Sequence, residues 1–210
     1  MHKLKATILL VLMMCAACGY DKPSENKPAN NDRSAALVNT DTQNANTEPE
    51  ITAAANTNAA PPTRAQCQAI ETGDEPILPT QTYVMDFEPF KNSCFVTTYN
   101  ADTDPPMEAR TAIYRDHKKV FDLPGQFNGS TMGCSVEGVA FGDLNNDGKK
   151  DIIVAGKCIS NTGPYNENVV YVNNGQTFTT DEGANSVLVD YAGVKEIIEF
   201  IKKNPKIFFK

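Results

Sequence analysis

The stretch from Asp143 to Asp151 constrains this chain more than any other part of its sequence. It reads Asp-Leu-Asn-Asn-Asp-Gly-Lys-Lys-Asp, with oxygen-bearing side chains at positions 1, 3, 5 and 9 and glycine at position 6. This spacing lets a short loop curve around one hard cation, and Ca²⁺ prefers six to eight oxygen ligands at about 2.3–2.6 Å. The predicted ligands are the side chains of Asp143, Asn145, Asp147 and Asp151 and the backbone carbonyl of Lys149.

Three carboxylates this close together would repel one another in the absence of a cation, so a bound metal is the simplest explanation of the pattern. The alternative is an Asn/Asp/Gly-rich hairpin turn that binds no metal. A turn alone does not require Asp151. The sequence therefore predicts a site for one calcium ion.

The residues around the loop distinguish it from an EF-hand. An EF-hand needs a glutamate at position 12 and a helix on each side, but position 12 here is Val154, and the β-branched run 152–155 and the run 136–141 both predict strands. The segment 141–154 resembles an FG-GAP or VCBS repeat, the unit of integrin-type β-propellers. The resemblance covers about residues 136–156 in a single copy, and it implies a calcium ion with a structural role.

The N-terminus has the features of an export signal. Lys3 and Lys5 precede an apolar run at 6–14 that is too short to span a bilayer. Small residues then lead to Cys18, which resembles a bacterial lipobox, although Cys15 stands where leucine is usual. The resemblance implies that residues 1–17 are removed and that Cys18 is lipidated. It also implies sorting to the outer membrane, because the residue after Cys18 is Gly19 and not aspartate. The alternative is cleavage by the ordinary signal peptidase.

Residues 18–66 are predicted to be a disordered tether, because Asn, Ala, Thr, Pro and Ser dominate and few apolar side chains are available to offset the ordering entropy. Residues 67–210 have the length of one folded domain. The net charge of −7 comes with no basic patch, so nucleic acid is excluded as an expected partner.

Four cysteines remain in the predicted domain: Cys67, Cys94, Cys134 and Cys158. An even number in an oxidising compartment predicts two disulfides, for which three connectivities are possible. If the strands flanking the calcium loop pair, Cys134 and Cys158 lie near opposite ends of one hairpin base. That geometry favours a Cys134–Cys158 bridge and, by exclusion, Cys67–Cys94. The spacing does not fit a zinc site.

The domain is predicted to be α+β with β dominant. Alternating apolar residues and turn signals predict an antiparallel sheet of hairpins, including one around Asn173-Asn174-Gly175. Apolar residues at helical spacing predict a helix near 191–203, which ends before Pro205 and covers one face of the sheet.

No catalytic motif occurs in the sequence. His117 falls in a predicted turn beside two lysines, and the glycine-rich segment 125–133 lacks a lysine. We therefore expect a non-catalytic protein of the bacterial cell envelope. It would be lipid-anchored, face the periplasm or the cell surface, and present a surface to a protein or glycan partner. The alternatives are a periplasmic inhibitor or immunity-type lipoprotein and a metal-supported hydrolase.

Overall fold

The computed structural model of the protein describes residues 60–130 and 133–210. The predicted leader at 1–17, the predicted lipidation site at Cys18 and the tether as far as residue 59 lie outside the described residues. The first helix, α1 (Arg64–Gln68), begins inside the range assigned to the tether. Thr63 caps it, because its hydroxyl oxygen accepts a hydrogen bond from the backbone N–H of Gln66 at 3.3 Å.

The described residues form two antiparallel β-sheets. The first sheet has the order β1-β2-β3-β4, so each strand pairs with its neighbour in sequence. Its strands are β1 (Tyr83–Met85), β2 (Ser93–Thr98), β3 (Arg110–Arg115) and β4 (Lys118–Asp122).

The second sheet contains the predicted calcium loop. Its order is β5-β6-β8-β9, and β7 pairs with the far end of β6. Its strands are β5 (Cys134–Gly142), β6 (Asp151–Ser160), β7 (Gly163–Asn166), β8 (Val169–Asn173) and β9 (Phe178–Thr179). The ten-residue strand β6 pairs with β5 along one edge and with β7 and β8 along the other.

Three short helices follow the second sheet: α2 (Glu182–Asn185), α3 (Val194–Lys203) and α4 (Pro205–Phe208). The apolar side chains of α3 recur at helical spacing, and the two on its inner face, Ile197 and Ile201, are fully buried. Lys202 and Lys203 occupy its last turn, where they complement the helix dipole.

The alternation of side chains along β6 defines two of the cores. Ile152 and Val154 pack in a cluster that also contains Phe95 and Ile113 of the first sheet. Ile153 and Ala155 point the other way, into a cluster with Ile197 and Ile201 of α3. The second sheet is therefore buried on both faces, between the first sheet and the C-terminal helices.

A smaller cluster covers the opposite face of the first sheet. It contains Cys67 and Ile70 from the α1 region and Cys94 and Val96 from β2. The Cys67–Cys94 disulfide joins α1 to the sheet. The second disulfide joins Cys134 to Cys158, which are paired opposite each other in the β5–β6 ladder. Both pairs are those predicted, Cys134–Cys158 from the hairpin geometry and Cys67–Cys94 by exclusion.

The prediction of an α+β, β-dominant fold with a C-terminal helix on one face is confirmed. The strands divide between two sheets rather than forming one. The chain passes from the first sheet to the second between β4 and β5, and the aromatic ring of Phe127 in this segment is buried in the core that the two sheets share.

Candidate functional site

The predicted calcium loop connects β5 to β6 at the tip of a regular hairpin. Gly142 at the end of β5 pairs with Asp151 at the start of β6, so the two ends of the loop are held side by side. Two residues of the loop, Asn146 and Gly148, have positive φ angles of 63° and 82°. Glycine and asparagine adopt this conformation more readily than other residues, which explains their use in so tight a turn.

Backbone N–H groups orient the first half of the loop. Asp143 accepts hydrogen bonds from the N–H of Asp147 at 3.1 Å and the N–H of Gly148 at 2.9 Å. The side-chain oxygen of Asn145 also accepts from Asp147, at 3.1 Å. These contacts direct the oxygens of positions 1 and 3 toward the inside of the turn. An ionised carboxylate has about four lone-pair sites, so capacity for a cation remains.

Asp147 interacts mainly with Lys149. Its carboxylate accepts one hydrogen bond from the backbone N–H of Lys149, at 2.9 Å, and another from the ammonium group of the same residue, at 3.0 Å. The backbone N–H is the larger cause of the lowered pKa of Asp147, and the ammonium group acts in the same direction. Asp147 is thus held as an exposed, ionised carboxylate at the tip of the hairpin.

Asp151 has a different environment, because its side chain is fully buried. One carboxylate oxygen accepts the N–H of Leu144 at 3.1 Å, and the other accepts the N–H of Asn173, at the end of β8, at 2.9 Å. Burial raises the pKa of Asp151, while these two N–H groups oppose that shift. Among the described residues, no lysine or arginine forms an ion pair with this carboxyl group.

The structure brings Asp143, Asn145 and Asp147 together through shared hydrogen bonds, whereas it holds Asp151 against β8. Over residues 60–130 and 133–210, no three His, Cys, Asp or Glu side chains stand together in an arrangement that could hold a metal ion. No contact defines a role for the carbonyl oxygen of Lys149. The calcium site therefore stays a prediction, and its donor set, consisting only of oxygens, is of the type that calcium prefers.

Asn173 is the residue of this region that the sequence did not single out. It was expected only as part of the turn Asn173-Asn174-Gly175, and yet it is 1% exposed and its backbone holds Asp151. Its neighbour Asn174 is exposed and caps the turn. No local pattern in the sequence distinguishes the two asparagines.

A cavity of about 460 Å³ lies beside the loop. One wall comes from the loop itself, and the other walls come from the β8–β9 turn, α2 and the C-terminus. The charged side chains at its rim are paired within the protein, Lys149 with Asp147 at 3.0 Å and Lys210 with Asp181 at 2.7 Å. The lining residues include Asn145, Asp147, Lys149, Asn174, Asp181 and Phe209.

The other polar segments noted in the sequence do not line this cavity. His117 occupies the β3–β4 turn with a φ angle of 63° and is exposed. Of the glycine-rich segment, residues 126–129 form a tight turn in which Phe127 and Asn128 have positive φ angles of 46° and 50°, and residues 131 and 132 lie outside the described residues.

Comparisons of the chain with protein-family models, with curated proteins and with solved structures found no match. In the described part of the chain, no helix combines the length and the apolar character needed to cross a bilayer.

Proposed function

We propose that this chain is a non-catalytic lipoprotein of the bacterial cell envelope and that its 143–151 loop binds one calcium ion with a structural role. The observation that carries the calcium proposal is the buried carboxylate of Asp151. It lies at the base of a loop that already contains Asp143 and Asp147, and within the described residues no cationic side chain pairs with it. Buried charges in proteins are normally paired or bound to a metal.

The ligands would be the side-chain oxygens of Asp143, Asn145, Asp147 and Asp151 and the carbonyl of Lys149. A bound calcium ion would neutralise the repulsion among the three carboxylates and hold the two strands of the hairpin together. Because the ion would bind the folded loop and not the unfolded chain, its binding energy would add to the stability of the domain.

The cavity beside the loop supports the proposal of a partner. Amide groups from Asn145 and Asn174 and the ring of Phe209 line it, and its rim charges are paired internally. Such a surface suits an uncharged hydrogen-bonding ligand, which is compatible with a glycan or a segment of another protein.

Thermal unfolding in chelator and then in millimolar calcium tests the metal site. We expect the midpoint to rise by several degrees in calcium, because a ligand at about 100 times its dissociation constant stabilises the native state by about 2.7 kcal/mol. Asp147→Ala should abolish the rise. Asp122→Ala is the matched control, since Asp122 is also an exposed aspartate, paired with Lys119 at 2.9 Å in another hairpin. An equal midpoint in both buffers for the unmodified protein would refute the calcium proposal.

The lipid anchor rests on the lipobox resemblance around Cys18, which lies outside the described residues. Membrane fractionation of cells that express the Cys18→Ser variant tests it. We expect the variant to keep its leader and to lose the lipid attachment, whereas Cys15→Ser should be processed normally. Metabolic labelling with a fatty acid should mark the unmodified protein and the Cys15→Ser control only. Labelling of the Cys18→Ser variant would exclude this site.

A further inference from the structure

The segment between β1 and β2 makes contacts at both ends of the candidate calcium loop. This segment, residues 86–92, belongs to the first sheet, whereas the loop belongs to the second. The ring of Phe87 lies 5.6 Å from that of Phe141, next to the start of the loop. The ammonium group of Lys150, at the end of the loop, lies 5.4 Å from the centre of the same Phe87 ring. The loop is thus attached to both sheets.

Asn173 makes the central polar contact of this junction. Its side-chain NH₂ group donates to the carbonyl of Glu88 at 2.7 Å and to the carbonyl of Lys150 at 3.1 Å. Its side-chain oxygen accepts from the N–H of Gly175 at 2.8 Å, and its own N–H donates to Asp151 at 2.9 Å. One buried residue therefore bonds to the first sheet, to the loop and to the β8–β9 turn.

We infer that Asn173 is a positioning residue that couples calcium binding in the loop to the contact between the two sheets. The inference rests on the proposed function, because it extends the structural effect of the same metal site to the contact between the two sheets. A cation bound by Asp151 changes the forces on a carboxylate that is held by the N–H of Asn173. The side chain of Asn173 carries that constraint to Glu88, which is 85 residues away in the chain.

The burial of Asn173 gives the coupling its strength. Its side chain is 1% exposed, so water is not available to replace a lost hydrogen bond. A shift of the loop that broke its bonds would leave the buried side-chain NH₂ group of Asn173 without acceptors, which is unfavourable. The loop and segment 86–92 are therefore expected to be ordered together. Polar partners that orient metal ligands from outside the coordination shell commonly change metal affinity by about 10–100-fold when mutated.

Asn185 provides a matched control. It is also an asparagine with 1% exposure. Its side chain donates to Asn128 and to Thr180, both at 2.9 Å, and accepts from the N–H of Val170 at 3.1 Å. None of these bonds reaches the loop or segment 86–92. Asn185→Ala therefore removes a comparable buried network without touching the junction.

The experiment measures calcium affinity by calorimetry and amide hydrogen exchange of segment 86–92, with and without calcium. It uses the full-length chain, purified in detergent and freed of metal with chelator. In the unmodified protein, calcium should slow exchange in segment 86–92 as well as in the loop. Asn173→Ala keeps the backbone N–H that donates to Asp151 but loses the side-chain bonds to Glu88 and Lys150. It should therefore bind calcium more weakly, by about tenfold at most, and should lose the protection of 86–92. Asn185→Ala should retain both properties.

Asn173→Asp keeps the test available if Asn173→Ala does not fold. Aspartate has nearly the same size and keeps the oxygen that accepts from Gly175, but as a carboxylate it has no donor for the carbonyl of Glu88. Calcium should then protect the loop without protecting 86–92.

The outcomes separate the two proposals. If the unmodified protein does not bind calcium, both the calcium site and the coupling are refuted. If it binds calcium but the Asn173 variants behave like Asn185→Ala, the calcium site stands and the coupling is refuted. Weaker binding with loss of protection at 86–92 in the Asn173 variants supports the coupling.

Discussion

Two aspartates of the candidate metal loop should differ in how much they contribute to the stability of the calcium-free protein. Asp151 is fully buried and accepts two backbone N–H groups, from Leu144 and Asn173. Asp147 is exposed, and within the described part of the chain its hydrogen bonds stay inside the loop, with its carboxylate bonded to Lys149. The prediction is that Asp151→Ala strongly destabilises the protein even in chelator, whereas Asp147→Ala has little effect there and mainly removes the stabilisation by calcium.

The magnitude follows from the contacts. Alanine at 151 would leave two buried N–H groups without acceptors, at about 1–3 kcal/mol each. Removing a buried charge recovers part of that cost, so the expected net loss is about 2–4 kcal/mol. For a domain of this size, 1 kcal/mol corresponds to about 2–4 °C in the unfolding midpoint, and the midpoint should fall by about 5–15 °C. The Asp147–Lys149 pair at the surface contributes about 0–1 kcal/mol, so Asp147→Ala should lower the midpoint by about 4 °C at most.

The assay is unfolding in urea and by heat, with disulfides intact and with EGTA present, followed by the same measurements in calcium. Both variants should lack the calcium-induced rise. If Asp151→Ala in EGTA is as stable as the unmodified protein, then the bonds from Leu144 and Asn173 do not hold the loop base. A loss for Asp147→Ala in EGTA as large as that for Asp151→Ala would contradict the separation of roles.

Three further predictions concern the scaffold. Gly156→Ala should lower the free energy of unfolding by about 1–3 kcal/mol through overpacking, because a Cβ there would lie 2.5 Å from the ring of Phe127 and from the carbonyl of Glu167. Gly142→Ala is the control: its Cβ would have no neighbour within 4 Å, so urea unfolding should be nearly unchanged. Replacing both Cys134 and Cys158 by serine should lower stability by about 2–4 kcal/mol; a change below 0.5 kcal/mol, on the order of a neutral surface substitution, would refute this. Lys210 lowers the pKa of Asp181 from its ordinary value of 3.8, so the ion pair stabilises the fold fully above that value and is lost as the pH falls through the lowered pKa. Asp181→Ser, which keeps a helix-capping side chain for α2, should show a smaller acid-induced loss in circular dichroism than the unmodified protein.

Much of the second sheet is predictable because its signals are local. The apolar run at the start of β6 and the flanking cysteines define a hairpin from residues that are close in the chain. The turn at Asn173-Asn174-Gly175 likewise predicts the pairing of β8 with β9. In these elements, the turn residues and the pattern of apolar side chains agree.

The division into two sheets was not predictable by the same means. Strands β4 and β5 follow each other in the chain but lie in different sheets, and no local pattern predicts this. Nor does the sequence predict that Phe127, between these strands, is buried in the shared core with a φ angle of 46°. Strand β7 was missed because Gly163 and Pro164 indicate a turn. It pairs with only one neighbour, β6, and an edge strand can accommodate proline.

At the candidate site, the sequence predicted the oxygen ligands from their spacing but not the structure that supports them. The spacing gives Asp151 the same role as the other predicted side-chain ligands, whereas in the structure its side chain is fully buried. Its burial and its bond to Asn173 arise from the pairing of β6 with β8, which brings together residues 22 positions apart. A spacing rule within nine residues contains no information about that contact.

The Cys67–Cys94 disulfide has a mechanical consequence. A pull applied to the chain ahead of Thr63 first meets α1, which is only five residues long and is held by few hydrogen bonds. The disulfide transfers that load through a covalent bond to β2, an interior strand of the first sheet that is paired on both sides. Force from the N-terminal side is thereby spread over the ladders with β1 and β3, so unravelling of α1 would not by itself release the sheet.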